Sequence, residues 1–446
     1  MKEYVCRLVA SSHVRDGHDQ TVKLLLVLAT VFAFTACQVD PLSDGNDHGQ
    51  PNPVGIMTLE LPTTDPETSS SLTPFGAPPT SGRQDGSDPD GTASKADPHG
   101  RIVAFVSERR QPGDLDIWLV DTATGQLEAI TSDNALDSQL RWSRSGQYLA
   151  FLSLWPDGDT TIRIQDMVTD KLIELDPGDD PVDFDWLASE PGLVYANSEF
   201  QIRYLRLDGS KGEVLIEGGR APSVSPSGDR IAFIGTWLEV GGERLAMMSL
   251  ETSEVTSVID DPDFPERGYI VGGFDWSPGG QEIIEAHHGG RDTIPLVIVY
   301  NVRLEPLTSL AIGEFLQEGQ LGYGANLCSP IWLGDSGNIV FVYQSEESGG
   351  FCVGEIYNAD SDLETVVLLT NGSDFASPIM SPDDKEVIVS RGYGYLSNPA
   401  LMELTAGETA LWIMNQDGSD LRLLTDGPGY DGEVAWRPVR ANQSSN

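Results

Sequence analysis

The sequence predicts an all-β protein folded as a seven-bladed β-propeller. Three observations support this fold class. A turn of the type Trp-Ser-Pro-x-Gly, followed by a short apolar strand, recurs seven times along the chain. Each copy except the last is followed by two further strand-like runs. The repeat region begins with a unit that lacks its first strand and ends with a first strand alone, as expected of a ring that closes on itself.

The recurring turn marks the inner half of each unit. Its clearest copies read RWSRSGQYLAFLS, SVSPSGDRIAFIG and FDWSPGGQEIIEA. The seven copies lie at Trp142, Trp186, Val224, Trp276, Trp332, Met380 and Trp436. A period of roughly 40 to 55 residues that carries several strands is typical of one propeller blade. We label the four strands A to D from the hub outward, so that A ends at the Trp position and B follows the turn.

Strands C and D complete each unit. Strand C is an alternating run such as DIWLVD from Asp116, and strand D is a short run such as LEAIT from Leu127. Gly- and Asp-rich turns between them are typical of tight hairpins. Seven of the nine Trp residues fall in repeat register, namely Trp142, Trp186, Trp276, Trp332 and Trp436 in A, and Trp118 and Trp412 in C. This register favours packing between blades over an aromatic ligand site.

The two ends of the repeat region fit together as one blade. RIVAFVS from Arg101 is a strand B without its A, and GEVAWRPV from Gly432 is a strand A without its B. Joining them leaves no open sheet edge or blade face at the seam. The propeller is therefore predicted over residues 101–439, followed by a tail over residues 440–446.

The N-terminal region resembles an export signal. The segment Thr21–Ala36 contains Lys23 and an apolar run behind it, which is too short to span a bilayer comfortably. It ends in Phe-Thr-Ala-Cys, which resembles the lipobox of bacterial lipoproteins and implies lipid attachment at Cys37. Residues 1–36 are thus predicted to be a signal peptide, with a start near residue 22 as an alternative to Met1. Ordinary secretion and an uncleaved anchor are the alternatives to a lipoprotein.

Residues 37–100 are predicted to be a disordered tether. They consist mainly of Asp, Pro, Ser, Thr and Gly, with few large apolar side chains. Such a segment buries too little surface to offset its ordering entropy. The tether would hold the propeller clear of a membrane surface.

The repeat resembles the TolB-type, WD-repeat-like propeller repeat, which is also similar to the propellers of the prolyl oligopeptidase and dipeptidyl peptidase families. The resemblance covers about residues 101–439 and implies the fold rather than the function. Two differences stand out. TolB-type proteins resemble a six-bladed ring behind a small α/β domain, whose place the tether takes here. The peptidases add a hydrolase domain with a Gly-x-Ser-x-Gly turn, for which the residues after Pro438 leave no room.

Bulk charge restricts the class of partner. The formal net charge is −42, from 69 acidic and 27 basic residues. Such a surface repels phosphate backbones, so nucleic acid is excluded as a predicted partner. Cations and basic proteins are compatible partners for such a surface. The alternative is that the negative charge serves only solubility.

Function is predicted at the face that carries the D–A and B–C connections, because these are long and irregular whereas the A–B and C–D turns are short. We name it the long-loop face. Its predicted ligand-binding residues are Trp155, Asp176, Asp179, Asp180, Asp183, Trp237, Asp260, Asp261, Asp263, His287, His288 and Tyr393. Carboxylates beside aromatics suit a cationic ligand, a basic peptide or calcium. The alternative is a solvated acidic rim with aromatic lids over the sheet ends.

Catalysis is not predicted, and no catalytic residue, cofactor or defined metal site is assigned. Only His287 and His288 lie in the folded region, and two adjacent His cannot form a His-rich metal centre. Paired carboxylates support glycoside hydrolysis, but they are too abundant here to indicate it.

Cys328 and Cys352 are the only cysteines of the predicted propeller, and both fall in one unit at the long-loop face. Strand B between them would separate ideal positions by about 10 Å, beyond bridging distance. Residues at the ends of loops approach each other more closely than residues in ideal strands. Outside the cytoplasm, an even number of cysteines favours a disulfide between them.

Together these observations predict an extracytoplasmic binding protein, lipid-anchored in the cell envelope and either periplasmic or surface-exposed. The predicted partner is an envelope protein or peptide. A polysaccharide- or peptide-active hydrolase or lyase and a purely structural scaffold are the alternatives.

Overall fold

The computed structural model describes residues 100–188, 192–236, 243–258, 271–287, 295–311, 326–334, 337–344, 352–370, 374–392, 409–427 and 429–439. Every regular element in these ranges is a β-strand. The 28 strands form seven four-stranded sheets, and all neighbouring strands within them are antiparallel. This is the seven-bladed propeller that the sequence predicted. The described ranges contain no helix able to cross a membrane.

The blades are numbered 1 to 7 in chain order of their B strands. Their A strands are, from blade 1 to blade 7, β28 (Asp431–Trp436), β4 (Leu136–Trp142), β8 (Pro181–Trp186), β12 (Gly219–Val224), β16 (Val271–Trp276), β20 (Asn326–Trp332) and β24 (Phe375–Met380). The B strands are β1 (Ile102–Ser107), β5 (Tyr148–Leu154), β9 (Gly192–Asn197), β13 (Arg230–Gly235), β17 (Glu282–His287), β21 (Ile339–Gln344) and β25 (Glu386–Arg391). All seven A strands end at the residue that the repeat predicted.

The outer two strands of each blade follow in the same order. The C strands are β2 (Asp116–Asp121), β6 (Thr160–Asp166), β10 (Gln201–Arg206), β14 (Arg244–Ser249), β18 (Leu296–Asn301), β22 (Glu355–Ala359) and β26 (Ala410–Asn415). The D strands are β3 (Leu127–Ala129), β7 (Lys171–Leu175), β11 (Lys211–Glu217), β15 (Val255–Ser257), β19 (Pro306–Ala311), β23 (Val366–Leu368) and β27 (Arg422–Leu423). The D strands are the outer sheet edges.

Blade 1 is assembled from both ends of the propeller. Its sheet has the order β28, β1, β2, β3, with Val103 opposite Trp436 and Ala104 opposite Ala435. The last described strand therefore supplies the innermost strand of the first blade. This closure gives every blade two neighbours and leaves no open blade face.

The core is divided among the blade interfaces. Seven hydrophobic clusters each combine buried residues from two adjacent blades. The cluster across the seam, for example, packs Val103 and Phe105 of blade 1 against Ile388 and Ile413 of blade 7. All seven Trp residues in repeat register belong to these clusters or pack against them. They are packing residues, as their register indicated.

A bulge interrupts each A strand. In six blades a residue three positions before the end of A has a left-handed φ, between 46° and 128°. These residues are Gln139, Ala221, Gly273, Ser329, Ser377 and Glu433. In blade 3 the interruption instead lies between Pro181 and Asp183, after left-handed Asp180. Pairing with B shifts at each bulge, which bends the inner strand beside the axis.

Candidate functional site: the axial channel and the long-loop face

Six of the twelve predicted ligand-binding residues lie within the described ranges. They are Trp155, Asp176, Asp179, Asp180, Asp183 and His287. The other six, Trp237, Asp260, Asp261, Asp263, His288 and Tyr393, lie outside the described residues, as does the predicted lipidation site Cys37.

The carboxylates before β8 have separate local roles. Asp176 is exposed and accepts the backbone N–H of Gly178 at 2.7 Å. Asp179 accepts the Tyr195 hydroxyl at 3.0 Å and lies 3.0 Å from the Lys211 ammonium. Burial, and then Asp179, raise the pKa of Tyr195. Asp179 thus carries a charge that Lys211 and Arg203, 3.0 and 3.6 Å away, balance.

Trp155 covers a buried arginine. Its indole N–H donates to Thr161 at 3.0 Å, and the Arg163 guanidinium lies 5.5 Å from its ring centre. The Phe151 ring lies 5.2 Å from the same guanidinium. Trp155 is therefore partly buried and fixed by cation–π contact rather than a free aromatic platform.

Two other blades repeat this arrangement at the long-loop face. In blade 1, Arg109 lies over Phe105 and Trp118 and binds Asp431 at 2.6 Å. In blade 7, Arg391 lies over Phe375 and Trp412 and binds Asp374 at 3.0 Å. We name these, with that of Arg163, the arginine stacks. They occupy three consecutive blades, 7, 1 and 2, and each pairs its charge with a nearby carboxylate.

Arg163 also joins a buried polar network. Its Nη1 donates to Asp133 at 2.7 Å, while Nη2 lies 3.9 Å from Asp137. Asp137 is fully buried and accepts the hydroxyls of Thr131 and Ser153, each at 2.6 Å. Burial raises the pKa of Asp137 to about 7, although Arg163 and both hydroxyls lower it. The network therefore holds a carboxyl poised to change charge near neutral pH.

The predicted histidine pairs with a carboxylate. His287 ends β17, and its Nε2 lies 3.0 Å from the Glu285 carboxylate, two residues earlier on the same strand face. Both side chains are buried, with 7% and 1% of their surface exposed. This pair is the one described imidazole–carboxylate contact of the propeller.

Cys328 and Cys352 form a disulfide with their Cα atoms 5.8 Å apart. Cys328 lies in β20, whereas Cys352 precedes β22 and donates its backbone N–H to Gln344 at the end of β21. Cys352 therefore lies beside the end of strand B. This position accounts for a spacing shorter than ideal strand geometry allows.

A second set of carboxylates joins the A strands around the axis. Asp185 accepts its neighbour Trp186 N–H at 2.8 Å and Val224 N–H of blade 4 at 2.7 Å. Asp275 accepts Trp276 N–H in the same way at 2.9 Å. Inner edges of A strands have no further strand to pair with, so these side chains satisfy their donors.

The same edges are joined by tryptophans and by blade 1. Trp142, Trp186 and Trp276 each donate their indole N–H to a carbonyl of the preceding A strand, 3.0 to 3.3 Å away. Glu433 of β28 accepts Gln139 N–H of blade 2 at 2.5 Å. Adjacent A strands are thus bonded edge to edge around much of the hub.

The carboxyl groups around the axis outnumber the cations beside them. We name Asp183, Asp185, Asp275 and Glu433 the axial carboxylates. Burial raises the pKa of each, and that of Asp275 reaches about 7. The Arg141 guanidinium lowers all four pKa values, so it lies within electrostatic range of the whole set. Arg141 keeps 48% of its side chain exposed and Asp183 keeps 23%, which shows that water enters the channel.

The short-turn end of the channel is crossed by an arginine. Arg144, in the A–B turn of blade 2, donates to the carbonyls of Ser225 and Pro226 in the turn of blade 4. In the adjacent turns, Arg437 of blade 1 donates to the Gly146 carbonyl at 2.7 Å. These bonds span the channel end, so a ligand for the axial carboxylates approaches from the long-loop face.

One cleft lies on the opposite face. It encloses about 430 Å³ between blades 7 and 1, beside Arg101, Thr122, Ser381, Lys385 and Arg422. Its charges are largely paired, since Lys385 binds Asp383 at 2.6 Å and Arg422 binds Glu386 at 2.8 Å. Within the described ranges, no three His, Cys, Asp or Glu side chains are arranged to hold a metal ion.

Sequence reasoning identified Asp183 but missed the other axial carboxylates. A signal for two of them was present, because the tripeptide Phe-Asp-Trp ends both β8 and β16. A repeated Asp beside a register Trp indicates a role at the hub. Glu433 and Arg141 had no comparable signal, since their blades carry Val-Ala-Trp and Leu-Arg-Trp at these positions.

Comparison with known proteins supports the fold. No protein-family model and no curated protein matches the chain. A solved TolB from Acinetobacter baumannii is 19% identical, with 76% of this chain and 66% of that chain covered, at a TM-score of 0.46. The periplasmic gluconolactonase PpgL of Pseudomonas aeruginosa is 12% identical over 76% of this chain and 100% of its own, with a TM-score of 0.50.

A prolyl endopeptidase structure is 12% identical, with 76% of this chain and 49% of that chain covered, at a TM-score of 0.51. The chain thus spans less than two thirds of the TolB protein and about half of the peptidase. TolB structures are among the neighbours, as the repeat resemblance predicted. At these identities the comparisons concern the propeller fold alone.

Proposed function

We propose that the protein is an extracytoplasmic, envelope-anchored binding protein, whose propeller holds a basic segment of a partner protein at the long-loop face. The observation that carries this proposal is the excess of carboxyl groups in the channel. Four axial carboxylates lie near the Arg141 guanidinium, and the Arg220 guanidinium, which also lowers the pKa of Asp183, is paired with Glu243. Carboxylates held in a partly desolvated site attract a cation more strongly than exposed ones do.

A basic side chain suits this channel better than a directly bound metal ion. Asp185 and Asp275 each accept two backbone N–H groups, which occupy oxygens that a metal would need. Their charge nonetheless acts at a distance. A Lys or Arg side chain inserted from the long-loop face would be attracted without coordination by every oxygen.

The proposed location rests on the sequence and on the disulfide. The apolar run behind Lys23, ending at Cys37, resembles a lipoprotein signal. The Cys328–Cys352 bond suits an oxidising compartment outside the cytoplasm.

Pentalysine is a suitable probe for the basic segment. Calorimetric titration at matched ionic strength should show binding to the wild type that weakens at least about fivefold in the Asp183→Asn/Glu433→Gln variant, a loss of roughly 1 kcal/mol. Asp417→Asn, in the exposed C–D turn of blade 7, makes the same charge change per site away from the channel and serves as control. Equal binding by all three proteins would contradict the proposal.

An enzyme acting on polysaccharide or peptide is the second candidate. The Glu285–His287 pair favours it, because a carboxylate 3.0 Å from an imidazole nitrogen is a common acid–base arrangement. Turnover in a panel of glycans and peptides, abolished by His287→Gln, would support this candidate over binding. Pentalysine binding without turnover would support the first.

A further inference from the structure

The outer edge of blade 6 is unusually apolar. Its D strand, β23, reads Val-Val-Leu and, among the described strands, pairs only with β22. Val367 and Leu368 expose 52% and 45% of their surface. An outer strand with free backbone N–H and C=O groups and apolar side chains is a template for a further strand.

The other D strands carry the features that normally block such pairing. Charged residues lie in four of them, namely β3 (Glu128), β7 (Lys171, Glu174), β11 (Lys211, Glu213, Glu217) and β27 (Arg422). The strand β19 begins with Pro306, and β15 reads Val-Thr-Ser. Among the described D strands, only β23 exposes two adjacent large apolar side chains. Among the described D strands, β23 of blade 6 is therefore the one best suited to pair with a further strand.

The region before the propeller contains one matching segment. Residues 53–62 read PVGIMTLELP, in a stretch otherwise rich in Asp, Pro, Ser, Thr and Gly. Met57, Leu59 and Leu61 alternate with Thr58 and Glu60, which is the period-two pattern of a strand. Proline at both ends limits the run to strand length.

We propose that residues 55–61 add to β23 as a fifth strand of blade 6. Backbone bonds to the open edge would supply affinity. Val367 and Leu368 point to opposite faces of the sheet, so Met57, Leu59 and Leu61 would cover Val367 on one face and Ile56 would cover Leu368 on the other. When residues 55–61 are docked, only the residues before them connect the propeller to the N-terminus. The distance that the N-terminus can extend from the propeller is therefore shorter in the docked form than in the released form.

Chain length makes docking within one molecule feasible. The propeller begins at Gly100, which adjoins Pro382 of blade 7 and Val439. Blade 7 is the direct neighbour of blade 6. The 38 residues from 62 to 99 would span about 35 Å as a flexible chain. A tethered segment at that distance has an effective concentration on the order of millimolar, which favours it over a segment of another molecule.

A cysteine cross-link in the full chain tests the docking. Leu59→Cys combined with Val367→Cys should give, under mild oxidation, an intramolecular disulfide between the introduced cysteines, mapped by mass spectrometry. The control pairs Leu59→Cys with Leu172→Cys, because Leu172 is similarly exposed at 44% but lies on β7 of blade 2. We expect at least a tenfold higher yield for the blade 6 pair. Equal yields, or a bond that forms only between molecules, would overturn the proposal.

Hydrogen exchange provides a second readout that needs no new cysteine. In the full chain, the Met57→Asp/Leu59→Asp variant should speed exchange of the β23 amides at least fivefold. Val367→Lys should act in the same way by blocking the edge, whereas Leu172→Lys should leave β23 unchanged. Exchange at β23 that is identical in wild type and in the Met57→Asp/Leu59→Asp variant would also overturn the proposal.

Discussion

The Asp275 carboxylate of blade 5 accepts the backbone N–H of Trp332, the last inner-strand residue of blade 6, at 2.9 Å. Asp185 makes the equivalent bond from blade 3 to blade 4. One residue type therefore has two effects in this propeller. It joins neighbouring blades at the hub, and it places a titratable carboxyl group in the channel.

Protonation of Asp275 should make stability depend on pH. Its folded-state pKa of about 7 lies above the value near 3.9 of an unfolded Asp, so the folded protein holds this proton more tightly. The stabilising contribution is full below about pH 4 and is lost as pH rises through 7. The pKa values of Asp183, Asp185 and Glu433 are raised too, so they act in the same direction.

The free energy of unfolding should therefore change less between pH 5.5 and 8 in Asp275→Asn than in the wild type. The difference should be about 1 to 2 kcal/mol, since one pKa unit corresponds to about 1.4 kcal/mol and channel water weakens the effect. Denaturant titrations at both pH values measure it. Parallel pH dependences would contradict the assignment of a raised pKa to Asp275.

Two tryptophans at equivalent positions should differ in their sensitivity to substitution. Trp186 donates its indole N–H to the Arg141 carbonyl, whereas the buried Trp332 indole N–H has no hydrogen-bond partner among the described residues. Both substitutions to Phe lose similar packing. Trp186→Phe should cost about 1 kcal/mol more than Trp332→Phe, because it also removes a hydrogen bond. Equal losses in denaturant titration would argue against the hub bond.

Removal of the buried guanidinium should be costly in a pH-dependent way. Arg163→Met leaves Asp137 buried without its cation, which should cost about 3 to 5 kcal/mol at pH 8. The loss should be smaller at pH 5.5, because Asp137 then takes up a proton. Unfolding free energies at both pH values test this. A cost independent of pH would show that Arg163 stabilises through its aromatic contacts alone.

Reduction of the disulfide should lower stability moderately. The bond joins residues 24 positions apart, and closing a loop of this size is worth about 3 kcal/mol. Thermal melting with and without dithiothreitol measures the effect. The Cys328→Ser/Cys352→Ser variant should have the melting temperature of the reduced protein, and dithiothreitol should not change it. An unchanged melting temperature of the wild type in dithiothreitol would mean that the bond contributes little.

Lipid attachment at Cys37 stays a prediction from the sequence. Cys37→Ser should release the protein from membranes, since stable attachment requires acyl chains. Fractionation after a salt wash, followed by immunoblotting, compares the variant with the wild type. Sedimentation of both proteins with membranes would rule out this anchor.

The fold was predictable because each blade repeats a local pattern. The Trp-ended A strand, the turn and the alternating C strand are visible in the sequence, and the complementary ends at Arg101 and Gly432 indicated the closed ring. The axial carboxylates were harder to predict. Their proximity depends on the ring geometry, which brings residues 183 and 433 to one axis, and no local pattern encodes that distance.

The acidic loop before β8 shows a different difficulty. Asp176, Asp179 and Asp180 look equivalent in the sequence, yet Asp179 is balanced by Lys211, which follows it by 32 residues. Composition predicts how much charge a loop carries. It does not predict which long-range cation neutralises it, because that choice is made when strands pair.

The pairing of β28 with β1 also sets an order of events in folding. Blades 2 to 7 each consist of four consecutive strands, whereas blade 1 combines the first three strands of the propeller with the last one. The strands β1 to β3 therefore stay without their inner partner until β28 has been synthesised. A chain that stops before β28 leaves an incomplete ring with apolar blade faces exposed, and such faces promote aggregation.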